Sequence, residues 1–294
     1  MTEIRSFLSR MRDRRSHMTV GEAPLRVAIC LSGQPRTWKK CLPWWNNMFA
    51  DYPHGVKFDV FFHLWNFNSQ SNHLSYLLGQ AEPIDTPISQ AEMEEIVETL
   101  KPLDYIIEGK EVSPVNYLNE ILAKPRAQPN PFKSPIAAQW TCSQFYSAMR
   151  VAHLKCKQET LTGMSYDVCI RGRTDLVFQK PELHRSLELP KDSTIYGVHT
   201  GYDAQVNDYQ LGDIFYYADS PTFNKLSNFF RFMPYLKEEM FTNGTPPEFP
   251  FAFYTRMLNI TISDIHLDIK MRKSAEHVAG MLSVGKSLPS YEIF

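Results

Sequence analysis

The 294-residue chain holds no apolar run near the roughly 18 residues that a membrane-spanning helix needs. Its first residues also lack the continuous apolar segment of a secretory signal. Cysteine is scarce: Cys30, Cys41, Cys142, Cys156 and Cys169 make an odd set of 5 with no CxxC pair. That argues against a disulfide framework and a zinc knuckle, and a reducing cytoplasmic setting is expected. Charge of one sign is missing too. With 31 basic and 32 acidic side chains the formal charge is -1, so no overall field draws the protein to nucleic acid or to an anionic membrane. There is no glycine-rich phosphate loop and no Walker-type GKS, which counts against a nucleotidyltransferase or a similar nucleotide-using enzyme. Internal repeats and low-complexity segments are absent from the sequence.

What is present is ordinary globular material: 43% hydrophobic, 21% charged and 13% aromatic residues. Residues 1–24 stand apart. Arg5, Arg10, Arg12, Arg14 and Arg15 face only Glu3 and Asp13, which reads as a solvated, flexible arm or as a contact for acidic lipid or nucleic acid. From Leu25 onward, apolar β-branched runs alternate with helical patterns. "LRVAICLSG", "VKFDVFFHLW", "LDYIIEG", "TIYGVH" and "GDIFYYAD" read as strands. "QPRTWKKCLPWWNNMF" reads as a helix interrupted at Pro43. "SQAEMEEIVETLK" carries a capping box, Ser89 with Glu92, and residues 66–88 read as loop with room for one short helix. Ser-Pro pairs open helices at Ser134 and Ser220, and a further helix follows "PPEF". The alternation predicts an α/β fold with a mostly parallel sheet, whose ligands sit beyond the carboxyl ends of the strands.

One such end is "YDVCIRGRTDLVF", residues 166–178. If this segment stays extended, Arg171, Arg173 and Asp175 share a face with about 6.6 Å between neighbours. Gly172 on the other face allows close approach. Guanidiniums at a buried strand end need anions, and Asp175 can satisfy only one of them. A structural ion pair is one reading; a bound phosphate or carboxylate is the other. The loop after the first strand, Ser32, Gly33, Gln34 and Arg36, reads as a tight turn that presents backbone N–H groups, and Arg36 on its own reads as a surface arginine. His63 ends the second strand and reads on its own as a core histidine. Asp213 enters an apolar strand, where an acid is costly unless it is paired or used. Glu248 reads equally as a helix-start acid facing the dipole.

The blocks "VAICLSGQPRTW", "FDVFFHLWN", "YDVCIRGRTDLVF" and "QLGDIFYYADSPTFNKL", in that order over residues 25–260, resemble the A-type nucleotide-sugar glycosyltransferases, in particular the polysaccharide and lipopolysaccharide type of microbes and their viruses. The resemblance implies a Rossmann-like sheet and a single catalytic domain over residues 25–294. It implies transfer of a sugar from a nucleotide diphosphate to an acceptor hydroxyl, on a glycan or on modified nucleic acid. The implied donor site comprises Ser32, Gly33, Gln34, Arg36, His63, Arg171, Arg173 and Asp175. Asp213 or Glu248 takes the part of the base. The acidic metal motif of the family, usually Asp-x-Asp, falls on Arg173-Thr174-Asp175, so that Mn2+ or Mg2+ would rest on Asp175 alone, or the arginines would neutralise the diphosphate themselves. A non-catalytic module for glycan or nucleic acid is the alternative; it gives no reason for Arg-x-Arg-x-Asp.

Overall fold

Strand β1 (Leu25–Gly33) has no polar side: Val27, Ala28, Ile29, Cys30 and Leu31 are all 0% exposed. A strand of that kind survives only with cover on both faces. β1 pairs in parallel with β2 (Val56–Trp65) on one side and β6 (Val168–Gly172) on the other. β2 pairs in parallel with β5 (Asp104–Glu108). Beyond β6 come β9 (Leu211–Ala218), antiparallel to it, then β8 (Thr194–His199) and β10 (Thr261–Asp264). The order is β10-β8-β9-β6-β1-β2-β5. Of these 7 strands only β9 runs against its neighbours, so the sheet is Rossmann-like and mostly parallel, the latter as the alternation predicts. This computed structural model describes residues 24–50, 56–70, 84–112, 114, 135–178, 189–199, 211–235, 248–265 and 269–271. The basic arm lies outside the described residues except for Pro24, and so does the Ser134 cap.

Helices cover both faces. Helix α1 (Trp38–Ala50) and α2 (Gln90–Leu100) set Trp38, Trp45, Met93 and Ile96 against Ile29, Leu31, Phe62 and Ile170. Helices α3 (Pro135–Thr162), α4 (Ser220–Ser227), α5 (Phe229–Phe232) and α6 (Glu248–Met257) cover the other face. There Phe145, Met149, Phe223, Phe229 and Phe251 meet Ala28, Cys30, Phe61, Cys169 and Tyr216. The alternation of side chains along β1 therefore feeds two separate cores. No helix among the described residues is long and apolar enough to cross a membrane, and none of the 5 cysteines forms a disulfide.

Four local features differ from the sequence reading. Pro43 lies inside α1 without ending it. The carbonyl that loses its partner belongs to Lys39, and both residues are exposed, so water takes the place of the missing N–H. Ser89 caps α2 through Glu92 N–H at 3.2 Å, but the Glu92 carboxylate accepts from Trp38 Nε1 instead of closing the box. Helix α4 is capped by Asp219, whose side chain accepts from Thr222 N–H at 2.9 Å; Ser220 is the first helical residue. Within 66–88, strands β3 (Phe67–Gln70) and β4 (Ile84–Pro87) pair antiparallel. Their polar residues and Pro87 hide that pairing from a hydrophobic pattern.

The segment 166–178 is also not one strand. β6 ends at Gly172, a turn follows at Thr174-Asp175, and β7 (Leu176–Phe178) pairs with β11 (Ile269–Met271) in a separate small sheet. Gly172 is required by the indole of Trp45, because a Cβ at residue 172 would lie 2.6 Å from it. Gly172→Ala is expected to cost about 1–3 kcal/mol by overpacking. A urea titration of the variant checks this; an unchanged midpoint would mean that Trp45 moves freely.

Candidate functional site

From β1 the chain adds β2 and then β5 on one side, and later returns to place β6 on the other. The crevice beyond the carboxyl ends of β1 and β6 is thus a topological switch point, the place where open α/β sheets hold ligands. The loops after these two strands meet there. Thr174, 3% exposed, donates its hydroxyl to the carbonyls of Gln34 at 3.3 Å and Pro35 at 3.4 Å. Gly33 has φ 120, a conformation that L side chains rarely adopt, and it turns the chain out of the strand.

Arg36 follows with φ 46. An arginine in the left-handed region costs on the order of 1–3 kcal/mol, and such strain gathers at functional sites. The surroundings hold it in place. Arg36 N–H donates to Asn68 Oδ1 at 2.8 Å, and Arg36 Nε donates to Gln34 Oε1 at 3.0 Å. Its Nη1 then stands 3.6 Å from Asp175 Oδ2.

Asp175 is 1% exposed and receives Arg173 in a fork: Nε to Oδ1 at 2.8 Å and Nη2 to Oδ2 at 2.7 Å. Burial alone would raise its pKa; the charge and hydrogen bonds of Arg173, with Arg36 behind, hold it below the ordinary carboxylate value. Desolvation in the crowded loop and, next, the Arg173 charge lower Arg36 to about 10, which leaves it charged at neutral pH even though its side chain is 36% exposed. Arg171 is 1% exposed on the α3 side of the sheet, with its guanidinium 5.8 Å from the centre of the Tyr216 ring. Arg171 thus diverges from Arg173 and Asp175: it stays on the strand, and they lie in the turn after it.

The carboxyl end of β2 carries a second polar group on the α3 side. His63 is 0% exposed, edge-on to Trp65 and Tyr146 at 5.1 Å and 5.7 Å. Its Nε2 lies 2.9 Å from Glu108 Oε2, and Arg150 Nη2 donates to Glu108 Oε1 at 2.7 Å. Burial would raise Glu108, but His63, Arg150 and Tyr146 together lower it. Glu108 is therefore ionised, Nε2 carries the proton, and Nδ1 is a buried acceptor with no hydrogen-bond partner. Beside it in register is Ser32, 1% exposed, whose hydroxyl is also without a partner. Glu108 and Arg150 escape the sequence reading. The signal was an acid closing the apolar run "DYIIE", the same placement that makes Asp175 visible after β6.

Asp213 is the third residue of β9, and Glu248 the first of α6. Because β9 is antiparallel, its first residues lie at the carboxyl end of β6, so the backbone of Asp213 is on the crevice side of the sheet. Helix α6 packs on β9 through Phe251 against Tyr216, ring centres 5.6 Å apart.

A divalent cation fits this donor set poorly. Both oxygens of Asp175 are engaged by Arg173, and a second guanidinium stands beside them. No group of three His, Cys, Asp or Glu suited to a metal exists among the described residues. The geometry suits an anion instead: fixed guanidiniums, a tight turn and a switch-point crevice.

The buried groups make stability depend on pH. Burial holds His63 below its ordinary 6.5, against the pull of Glu108, and half-buried His153 is lowered mainly by burial as well. The unfolded chain takes up protons near pH 6.5 that the folded chain refuses, so stability falls as pH drops below that value. Glu108 and Asp175 are depressed from 4.5 and 3.8, so their contribution is present above those values and is lost as pH falls through their folded pKa. Unfolding free energy against pH is expected to decline in two stages. His63→Gln should shrink the first stage and keep the part due to His153; a first stage of unchanged size would show that His63 does not titrate on unfolding.

No model of a known protein family matches this chain, and no curated protein matches it.

Proposed function

We propose that the protein is a glycosyltransferase that binds a nucleotide-sugar donor at the β1–β6 crevice and passes the sugar to an acceptor hydroxyl. The observation that carries this reading is the convergence of Arg36 and Arg173 on one crevice at the switch point of a Rossmann-like sheet, with a single buried carboxylate between them. The sequence resemblance supplies the chemistry; the crevice supplies a place for it. The diphosphate would lie against Arg36 and Arg173, with the Ser32–Arg36 loop around it. Ser32 and His63, with their unpartnered hydroxyl and Nδ1, would meet the nucleoside.

In the transfer, the bond between the anomeric carbon and the diphosphate oxygen breaks as the acceptor oxygen forms its own bond to that carbon. The leaving diphosphate gains negative charge, which fixed guanidiniums stabilise without reorganising. In an inverting reaction the acceptor's proton passes to a carboxylate, for which Asp213 and Glu248 are the candidates. The acceptor is a glycan hydroxyl in this reading, with a modified nucleic acid as the other hydroxyl-bearing class.

The test is release of nucleoside diphosphate from a panel of UDP-, GDP-, ADP- and dTDP-linked sugars, followed by chromatography with and without simple sugar acceptors. One donor consumed faster than in a protein-free control supports the reading. No donor consumed and none bound would leave a non-catalytic module.

A further inference from the structure

We propose that Asp175 is a positioning residue that holds Arg36 and Arg173 as a two-guanidinium clamp, and that the clamp takes a diphosphate without a divalent cation. The inference deepens the reading above and rests on it for the identity of the anion. The first acid of the resembled metal motif is here Arg173, and its guanidinium occupies both oxygens of the remaining acid at 2.8 Å and 2.7 Å. A cation on Asp175 would have to displace that fork and then sit beside two positive charges. Both guanidiniums converge on Asp175 Oδ2, and the cluster keeps a net positive charge that a sugar diphosphate would meet.

The parts are set before any ligand arrives. Arg173 is fixed by its fork to a carboxylate that is itself 1% exposed. Arg36 is fixed from three sides: by its left-handed backbone, by Asn68 at its N–H, and by Gln34 at its Nε. Its Nη1 at 3.6 Å from Asp175 is within ion-pair distance but not in a fork. The carboxylate thus aims both arginines, and a cluster of two guanidiniums and one carboxylate keeps one net positive charge for an anion. Two cations held close to one another gain more from a bridging dianion than either would alone.

The experiment is equilibrium dialysis of labelled inorganic pyrophosphate against the full chain, in buffer stripped over a chelating resin and again with added Mn2+. The wild-type protein is expected to retain pyrophosphate equally in both buffers. Retention only with Mn2+, or none in either buffer, overturns the clamp. Arg173→Lys keeps the charge and loses the fork, and retention should weaken at least about tenfold, the scale of one charge-assisted hydrogen bond. Asp175→Asn separates aim from charge. Removing a negative charge beside the anion would tighten binding by charge alone, so weaker retention supports positioning and tighter or unchanged retention overturns it. If Asp175→Asn does not fold, the wild-type and Arg173→Lys results decide. Sugar-nucleotide turnover that requires Mn2+ would overturn the clamp and leave the transferase standing. Metal-free pyrophosphate retention with no sugar nucleotide turned over would do the reverse.

Discussion

Arg173→Ala is expected to lower the unfolding free energy by about 3–5 kcal/mol, the usual cost of leaving a buried charge without its partner. Asp175 is 1% exposed, and Arg173 supplies its two short hydrogen bonds. Arg36 at 3.6 Å does not replace them, because its backbone and Gln34 hold it in its own place. At roughly 2–4 °C per kcal/mol for a domain of this size, the melting temperature should fall by on the order of 10 °C. Replacing Arg173 and Asp175 together by leucine should restore much of that loss, since the stranded charge is gone, and should still abolish anion binding. Urea unfolding of the single and double variants checks both statements. A single variant as stable as wild type would show that Asp175 is solvated or protonated in the fold.

Lys155→Ala should be comparably damaging, by about 3–5 kcal/mol, and should leave the crevice intact. Lys155 is 0% exposed in the C-terminal third of α3, where its Nζ donates to Glu159 Oε2 at 2.8 Å and to Ser220 Oγ at 2.5 Å. Ser220 in turn donates to Glu159 Oε1 at 2.6 Å, and the same oxygen accepts from Tyr166 N–H at 2.9 Å. The network ties α3 to the start of α4 and to the residues leading into β6. It lies five residues along α3 from Arg150, about 7.5 Å at helical rise, on the side away from the strand ends. Under conditions where the variant is still folded, pyrophosphate retention should match the wild type. Loss of retention without loss of stability would tie Lys155 to the site.

The sequence made the core legible where the physics is local. The apolar run Val27–Leu31 announced a strand buried on both faces; Phe223 and Leu226 of α4, Phe229 of α5 and Met233 after it are all buried, although the helical spacing that joins them crosses the break at Asn228. Glycine 172 was rightly read as a point of close approach, although the partner is the Trp45 indole and not a backbone. What stayed hidden is what the turn after β6 decides. Arg171, Arg173 and Asp175 look equivalent at a spacing of two, but the strand stops at Gly172, so Arg171 stays on it while Arg173 and Asp175 lie in the turn. Arg36, which looks like a surface arginine in sequence, arrives through a positive φ that no spacing shows. Glu108, Arg150 and His63 come together from three elements far apart in sequence, which a single chain read in order does not reveal. The antiparallel course of β9, which puts Asp213 at the crevice side, is equally a tertiary fact.

The central claim is that a nucleotide-sugar diphosphate binds at Arg36 and Arg173. The most direct measurement is the melting temperature of wild-type protein and of Arg36→Asn with a panel of sugar nucleotides in metal-stripped buffer. Asparagine tolerates the left-handed backbone at residue 36, so the variant keeps the loop and loses only the charged side chain. A donor at one hundred times its Kd should stabilise the wild type by about 2.7 kcal/mol, and the same donor should shift the variant far less. No shift with any sugar nucleotide in folded wild-type protein, or an equal shift in Arg36→Asn, would contradict the account.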